Sequence, residues 1–165
     1  MTREGKVVGF APGVFDVFHM GHLNILLRAK EHCDYLIVGV VTDERVEAVK
    51  GKTPMMPLDE RRELVAALDL VDEVVEDDSV DKVEMWEKHH FDVIFKGDDW
   101  RGTPKGDQLE AGMKAVGAEV VYFPYTQHVS STRLRELINK ANAGEKLNGV
   151  APDRAATTAE QGTRD

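Results

Sequence analysis

The sequence has a single cysteine, no long apolar run and few basic residues for its length. With Cys33 alone, no internal disulfide can form, and a cysteine-based zinc site is excluded. No apolar run reaches the roughly 18 residues that cross a bilayer. The amino-terminal residues lack the charged and then apolar pattern of an export signal. We therefore expect a cytoplasmic protein that does not enter a membrane.

Basic residues are outnumbered by acidic ones, 21 Lys and Arg against 30 Asp and Glu, for a net charge of -9. Nucleic acids and anionic lipid surfaces carry dense negative charge and are repelled by such a surface. The negative net charge therefore argues against both as partners. A phosphate group that binds this protein must be bound by a few basic side chains close to it. A chain of 165 residues is long enough for one domain with a core of its own.

Short β-rich runs alternate with longer segments of helical periodicity. Several of these runs are almost continuously apolar, which is typical of strands buried on both faces. Strands that alternate with helices are joined by right-handed crossovers into a mainly parallel sheet. The pattern predicts an α/β fold, a Rossmann-like parallel sheet with helices on both faces, in a single domain. The predicted strands are Lys6–Ala11, Asp34–Thr42, Val71–Glu76, Asp92–Lys96 and Ala118–Phe123.

The last helical pattern sets the predicted domain boundary. Leu134, Leu137 and Ala141 follow one another at helical spacing, whereas the chain beyond them is rich in Gly, Ala, Thr, Pro and charged residues without a period. Such a composition buries too little apolar surface to fold. We predict a domain over residues 1–142 and a disordered tail over residues 143–165.

A histidine motif follows the first strand directly. Residues Gly13 to His22 read Gly-Val-Phe-Asp-Val-Phe-His-Met-Gly-His, and helical periodicity begins at their end. A glycine-containing loop between a parallel strand and a helix aims backbone N–H groups at the crevice where α/β folds bind ligands. If the helix begins between His19 and His22, both rings can face that crevice and donate to phosphate oxygens.

Three other motifs are missing, and their absence narrows the class of enzyme. The loop after the first strand lacks the Gly-x-Gly-x-x-Gly of dinucleotide dehydrogenases and the Gly-Lys-Ser/Thr of P-loop NTPases. No Gly-x-Ser-x-Gly elbow of a serine hydrolase occurs. The pattern indicates chemistry at phosphorus without a protein nucleophile.

The histidine motif resembles the signature of the cytidylyltransferase-like superfamily, and later segments resemble its glycerol-3-phosphate cytidylyltransferase branch. From Val7 to Ile138 the segments follow the order of that family, which makes chance agreement improbable. They are Thr42-Asp43-Glu44, Lys50-Gly51, Asp59-Glu60-Arg61-Arg62, Val71-Asp72-Glu73-Val74, Gly97-Asp98-Asp99-Trp100 and Val129-Ser130-Ser131-Thr132.

The resemblance implies transfer of CMP from CTP, used with Mg²⁺, to a small phosphorylated alcohol such as glycerol 3-phosphate, with release of pyrophosphate. It implies a homodimer as well. His19, His22, Lys50 and Arg61 would stabilise the charge at phosphorus; taken alone, Lys50 and Arg61 read equally well as solvated surface charges.

The remaining site residues lie on loops and at the start of the last helix. Asp98 and Trp100 are predicted to contact the acceptor, and no metal ligand is assigned. The predicted nucleotide contacts are Gly13, Val14, Phe15, Asp16, Gly21, Gly97, Asp98, Tyr125, Thr126, Val129, Ser130, Ser131 and Thr132.

Two residues depart from the family pattern: Tyr125 stands where arginine is common and His128 where glycine is. The first change removes a fixed positive charge, so either Arg133, Arg101 or His128 compensates, or the acceptor differs. Two alternatives stay open. One is an adenylyltransferase that makes a dinucleotide cofactor from a precursor such as flavin mononucleotide, and the other is a catalytically weak nucleotide-binding relative.

Overall fold

The computed structural model describes residues 3–126 and 130–144, in which five strands alternate with six helices and one short 3-10 helix. All five predicted strands are present, with ends that differ from the prediction by no more than two residues. In chain order the elements are β1 (Val8–Gly13), α1 (Met20–Glu31), β2 (Tyr35–Val41), α2 (Asp43–Lys50), α3 (Leu58–Ala66), β3 (Glu73–Asp77), α4 (Lys82–His89), β4 (Val93–Gly97), the 3-10 helix (Asp98–Trp100), α5 (Pro104–Val116), β5 (Glu119–Phe123) and α6 (Ser131–Asn142).

The sheet is parallel throughout, with the strand order β3-β2-β1-β4-β5. The chain winds outward from β1 to β3 and then returns to β4 on the other side of β1. Strands β1 and β4 therefore form a topological switch point, the place where open α/β sheets bind ligands at the carboxyl ends of their strands. The loops after β1 and after β4 flank this crevice.

Helices cover both faces of the sheet, which confirms the predicted fold class. On one face, Leu26 and Ala29 of α1 and Val65 of α3 are buried in a common core. On the other, Met85 of α4 and Met113 of α5 are buried in a second core. Because α1 follows β1 and α5 follows β4, the crevice has one helix start on each side.

The chain divides into two compact units, Met1–Ser131 and Thr132–Asp165. The first holds the sheet and α1 to α5. The predicted boundary at residue 142 and the predicted disorder of 143–165 stay predictions, and residues from 145 onward lie outside the described part. Within residues 3–126 and 130–144, no helix is long and apolar enough to cross a membrane.

Candidate active site

The loop between β1 and α1 has a strained backbone. Phe15 and Val17 have φ angles of 55° and 49°, a region that bulky and β-branched residues rarely adopt. Such a residue costs on the order of 1–3 kcal/mol and persists where its surroundings enforce it, most often at functional sites. The Phe15 ring folds back on Gly13, where an added Cβ would lie 2.9 Å from that ring. Gly13 therefore makes room for the turn that carries the histidine motif.

The two histidines form a stacked pair at the first turn of α1. The helix begins at Met20 with His19 as its N-cap, and the two ring centroids lie 3.9 Å apart. The backbone N–H of Gly21 donates to Nδ1 of His19 at 3.0 Å, and the backbone N–H of His19 donates to Nδ1 of His22 at 3.3 Å. The helix therefore begins between the two histidines, the condition under which both rings can face the crevice.

These bonds and the low solvent exposure fix the protonation of both rings. A backbone N–H only donates, so each Nδ1 is an acceptor and each neutral ring carries its proton on Nε2. Burial lowers the pKa of His22 to about 3, assisted by the positive charges of His19 and Lys50 and opposed by Asp16. Burial also lowers the pKa of His19. Near neutral pH both rings are uncharged Nε2–H donors.

Ser131 joins the histidine pair from a distant part of the first unit. Its Oγ donates to the backbone carbonyl of Asp16 at 2.6 Å and lies 3.3 Å from Nε2 of His19. Because the hydroxyl proton goes to that carbonyl, Oγ accepts the Nε2–H of His19. The structure therefore brings together two predicted site residues, Ser131 and His19, that are 112 positions apart.

Lys50 is exposed in the last turn of α2, close enough for its charge to lower the pKa of His22. The chain turns away immediately after it, since Gly51 ends the helix with a φ of 65°. In the described part of the chain, Lys50 has no carboxylate partner within ion-pair distance. Its ammonium group is therefore available beside the histidine pair, and its contact with phosphate stays a prediction.

Arg61 does not face the crevice, because its side chain is 0 % exposed. Its Nε donates to the carbonyl of Met56 at 3.0 Å, and its Nη1 donates to those of Val14 at 2.7 Å and Val41 at 2.8 Å. Its Nη2 forms an ion pair with Asp43. A buried guanidinium engaged in this way cannot also hold phosphate, which corrects the expectation of a direct contact. Arg61 is a positioning residue that ties the ends of β1 and β2 to the loop before α3.

Asp16 stabilises the same region through a buried carboxylate. Its Oδ2 accepts the backbone N–H of Met55 at 2.9 Å and its Oδ1 that of Met56 at 3.0 Å, and the residue is 3 % exposed. A buried carboxylate needs such donors, and its charge would repel a triphosphate. The carboxylate therefore holds the loop in place, and the nucleotide contact of Asp16 stays a prediction. The backbone carbonyl of Val14, a residue also predicted to contact the nucleotide, accepts a hydrogen bond from Arg61.

The loop after β4 meets the end of β5. The Asp98 carboxylate accepts the backbone N–H of Tyr125 at 3.1 Å, which joins two segments that the sequence assigned to nucleotide binding. An added Cβ at Gly97 would lie 2.5 Å from a carboxylate oxygen of Asp99, an exposed side chain that folds back over this glycine. Trp100 ends the 3-10 helix and packs against the second core. These residues lie on the opposite side of the switch point from the histidine motif.

Several predicted contacts stay predictions. Val129 and His128 lie outside the described residues. Thr126 and Ser130 are half-buried in the first unit, and Thr132 belongs to the second.

Of the three residues predicted to compensate for the arginine that Tyr125 replaces, only Arg101 lies in the described part of the first unit. Arg101 holds its guanidinium carbon 5.1 Å from the ring centroid of Tyr122 in β5. Arg133 belongs to the second unit, and His128 is outside the described part.

Sequence reasoning missed Lys96, which it treated only as the last residue of a strand. Lys96 lies in β4, and its Nζ is 4.0 Å from the ring centroid of Trp100. The available signal was a lysine that ends an otherwise apolar strand at the ligand-binding edge of a parallel sheet.

Among the described residues, no three His, Cys, Asp or Glu side chains converge in a way that could hold a metal ion. Mg²⁺ commonly binds through one or two carboxylates together with the phosphates of a substrate. The Mg²⁺ that the resemblance implies stays a prediction.

Known proteins share both the sequence pattern and the fold. Residues 10–137 match the model of a family described as cytidylyltransferase-like. The chain is 38% identical over 132 residues to a glycerol-3-phosphate cytidylyltransferase of Bacillus spizizenii, with 79% of this chain and 95% of that protein covered. It is 34% identical over 141 residues to an FAD synthase of Thermococcus sibiricus, with 85% of this chain and 95% of that protein covered.

A solved structure is similar as well. The lipopolysaccharide core biosynthesis protein of Thermoplasma volcanium superposes with a TM-score of 0.63 at 26% identity, covering 74% of this chain and all of that one. Together with the histidine pair at the switch point of a five-stranded parallel sheet, these matches show that the chain belongs to the cytidylyltransferase-like family and is a nucleotidyltransferase.

Proposed function

We propose that this enzyme transfers CMP from CTP to a small phosphorylated alcohol, glycerol 3-phosphate in the first place, and releases pyrophosphate. The observation that carries the proposal is the pair of uncharged imidazoles at the start of α1, each with Nδ1 held by a backbone N–H and its proton on Nε2. The Nε2–H of His19 contacts Ser131 Oγ in the free enzyme and would turn to a phosphate oxygen when substrate binds. A preorganised pair of donors at a helix start suits an oxygen on which negative charge builds. The similar glycerol-3-phosphate cytidylyltransferase supports the choice of substrates.

The reaction is a direct displacement at the α-phosphorus. An oxygen of the acceptor phosphate attacks in line, a new P–O bond forms, and the bond to the oxygen that bridges to the β-phosphate breaks as pyrophosphate leaves. His19 and His22 donate to oxygens whose charge increases in the transition state. Lys50 supplies a cation on a flexible stem, and the positive end of α1 adds to the field. Each of these groups binds and orients, and none forms a covalent intermediate.

Arg61 and Asp16 contribute through the backbone. Arg61 holds the carbonyls of Val14 and Met56, and Asp16 holds the amides of Met55 and Met56. Both therefore connect the histidine loop with the loop before α3. Positioning of this kind matters because a small displacement of a catalytic group lowers the rate strongly.

The choice of donor nucleotide tests the proposal. We expect kcat/KM with CTP and glycerol 3-phosphate to exceed that with ATP by at least about a hundredfold, because a site that reads the polar edge of one base leaves those groups unpaired with another. Pyrophosphate release with each triphosphate against a panel of phosphorylated alcohols measures this. The similar FAD synthase supports the second candidate, adenylyl transfer to a flavin, so the panel includes flavin mononucleotide with ATP. A higher rate for that pair would replace the cytidylyl assignment, and no turnover with any pair would favour the weak binding protein.

Magnesium is proposed as the ion that accompanies CTP, where it neutralises phosphate charge. The same assay with EDTA should show no pyrophosphate release, and excess Mg²⁺ should restore it. Because the described residues hold no metal cage, EDTA should leave the melting temperature of the free protein unchanged. Full turnover without a divalent ion would contradict this part of the proposal.

A homodimer and a cytoplasmic location complete the proposal and rest on the resemblance to the family. Light scattering at micromolar concentration should give a mass of about twice that of the 18.4 kDa chain. A single species of monomer mass would count against the dimer.

A further inference from the structure

Lys96 is a half-buried lysine near the carboxyl end of β4. The preceding residue on the same face of the strand is Ile94, which is fully buried in the second core with Phe10 of β1. Ile94 is paired in register with Phe10, so Lys96 lies two residues farther along the strand beside the end of β1. The Lys96 ammonium is therefore placed between the core and the crevice.

The two sides of the switch point carry different chemistry. The histidine pair begins α1, which packs on one face of the sheet, while the face of β4 that carries Lys96 is covered by α4 and α5. Both β1 and β4 end at the same crevice. Two substrates must meet there for a direct displacement, and the histidine side is suited to the triphosphate. On the Lys96 side, Asp98 and Trp100 are the predicted acceptor contacts, so this side suits the second substrate, next to the predicted nucleotide contacts Gly97 and Tyr125.

The surroundings of Lys96 favour an anion. Its Nζ lies 4.0 Å from the ring centroid of Trp100 and, among residues 3–126 and 130–144, within ion-pair distance of no carboxylate. Four charged groups act on Lys96 electrostatically: Lys82 and Lys105 lower its pKa, whereas Asp77 and Asp99 raise it. The Asp77 carboxylate is already engaged, accepting from Lys82 at 2.7 Å and from the hydroxyl of Ser79 at 2.6 Å. Burial and the charge of Lys82 lower the pKa of Lys96 to about 8, which a bound anion would reverse.

We propose that Lys96, supported by Lys82, binds the phosphate group of the acceptor, while the Trp100 ring packs against its carbon chain. This inference deepens the proposed function and rests on it for the identity of the acceptor. Lys96 is then a specificity residue of the acceptor side. An ammonium above an indole ring suits a short phosphorylated alcohol, because the ion meets the phosphate and the ring meets the CH₂ groups.

The test compares Lys96→Met with Lys96→Arg and with a matched control, Lys88→Met. Methionine keeps the length of the side chain and its contact with Trp100 but removes the charge. Lys88 is an exposed lysine on α4 whose only ion pair in the described residues is with exposed Asp78. We expect Lys96→Met to raise KM for glycerol 3-phosphate about tenfold to a hundredfold, the effect of losing one charge-assisted hydrogen bond. KM for CTP should change less than about threefold.

The other variants separate charge from structure. Lys96→Arg should recover most of the acceptor affinity, and Lys88→Met should resemble the wild type. An unchanged KM for the acceptor in Lys96→Met would overturn the inference. A rise confined to KM for CTP would overturn it as well, by assigning Lys96 to the nucleotide.

The role of Lys96 can be tested even if the proposed substrates are wrong. Should another pair from the substrate panel react, the same KM comparison is made with that acceptor, and the inference requires the phosphorylated acceptor to be the affected substrate. Should no pair react, inorganic phosphate is titrated into wild type and Lys96→Met while tryptophan fluorescence is followed. A saturable change in the wild type that Lys96→Met lacks would support the site. The absence of that difference would overturn it.

Discussion

Replacing His19 or His22 by alanine is expected to lower kcat about a hundredfold to a thousandfold while KM for CTP changes little. Removing one preorganised donor to a developing charge has an effect of this size, and a donor used mainly in the transition state acts on kcat. Single-turnover rates at saturating CTP and acceptor measure the effect.

The capping role of His19 requires a more careful control than alanine alone. Its Nδ1 accepts the N–H of Gly21, so alanine also removes a helix cap worth about 1 kcal/mol. Asparagine is among the best N-cap residues but lacks an imidazole Nε2. His19→Asn should therefore melt near the wild-type temperature and still turn over slowly. His32→Ala, at the exposed far end of α1, should keep the normal rate. A His19→Asn enzyme as fast as the wild type would contradict the catalytic role.

Replacing Arg61 by methionine is expected to lower the free energy of unfolding by about 3–5 kcal/mol. The change removes a buried charge that bonds three backbone carbonyls and Asp43, and breaking such a pair leaves the partners without compensation. Denaturant unfolding monitored by circular dichroism measures the loss.

The neighbouring arginine offers a matched control. Arg62 pairs with Glu76 at 2.6 Å, and both side chains are more than one third exposed, so Arg62→Met should change stability by no more than about 1 kcal/mol. If Arg61→Met were as stable as the wild type but bound CTP poorly, Arg61 would contact phosphate after all. The two substitutions therefore distinguish a positioning residue from a ligand.

The different roles of these two arginines show where the sequence was informative. Apolar runs marked the strands because a sheet covered on both faces leaves little room for polar side chains. The order of short motifs located the histidine loop. The sequence pattern also indicated the burial of Arg61: Leu58, Arg61 and Val65 follow one another at spacings of three and four, which places them on one face of α3. Arg61 in that stripe was interpreted as a phosphate ligand or a solvated surface charge, whereas three backbone carbonyls and Asp43 satisfy it.

Other parts of the site depend on contacts between distant segments. Nothing local in the sequence indicates that Ser131 reaches His19, or that the Asp16 carboxylate holds the amides of Met55 and Met56. Lys96 was missed for a related reason, since its role depends on which strand lies beside β4. Strand order follows from tertiary packing, and a run of apolar residues does not encode it.

The exclusion of water from His22 makes the histidine motif a point of acid sensitivity. The pKa of His22 is about 3 in the folded protein and about 6.5 in an unfolded chain. Between these two pH values His22 is protonated in the unfolded chain and neutral in the folded protein. Stability is retained above the higher value and falls as the pH drops toward 3, with a loss of about 2 kcal/mol at pH 5. Unfolding measured from pH 7.5 to 5 should show this slope, and His22→Gln should flatten it. A group kept uncharged to serve phosphate at neutral pH thus limits the acidity in which the enzyme stays folded.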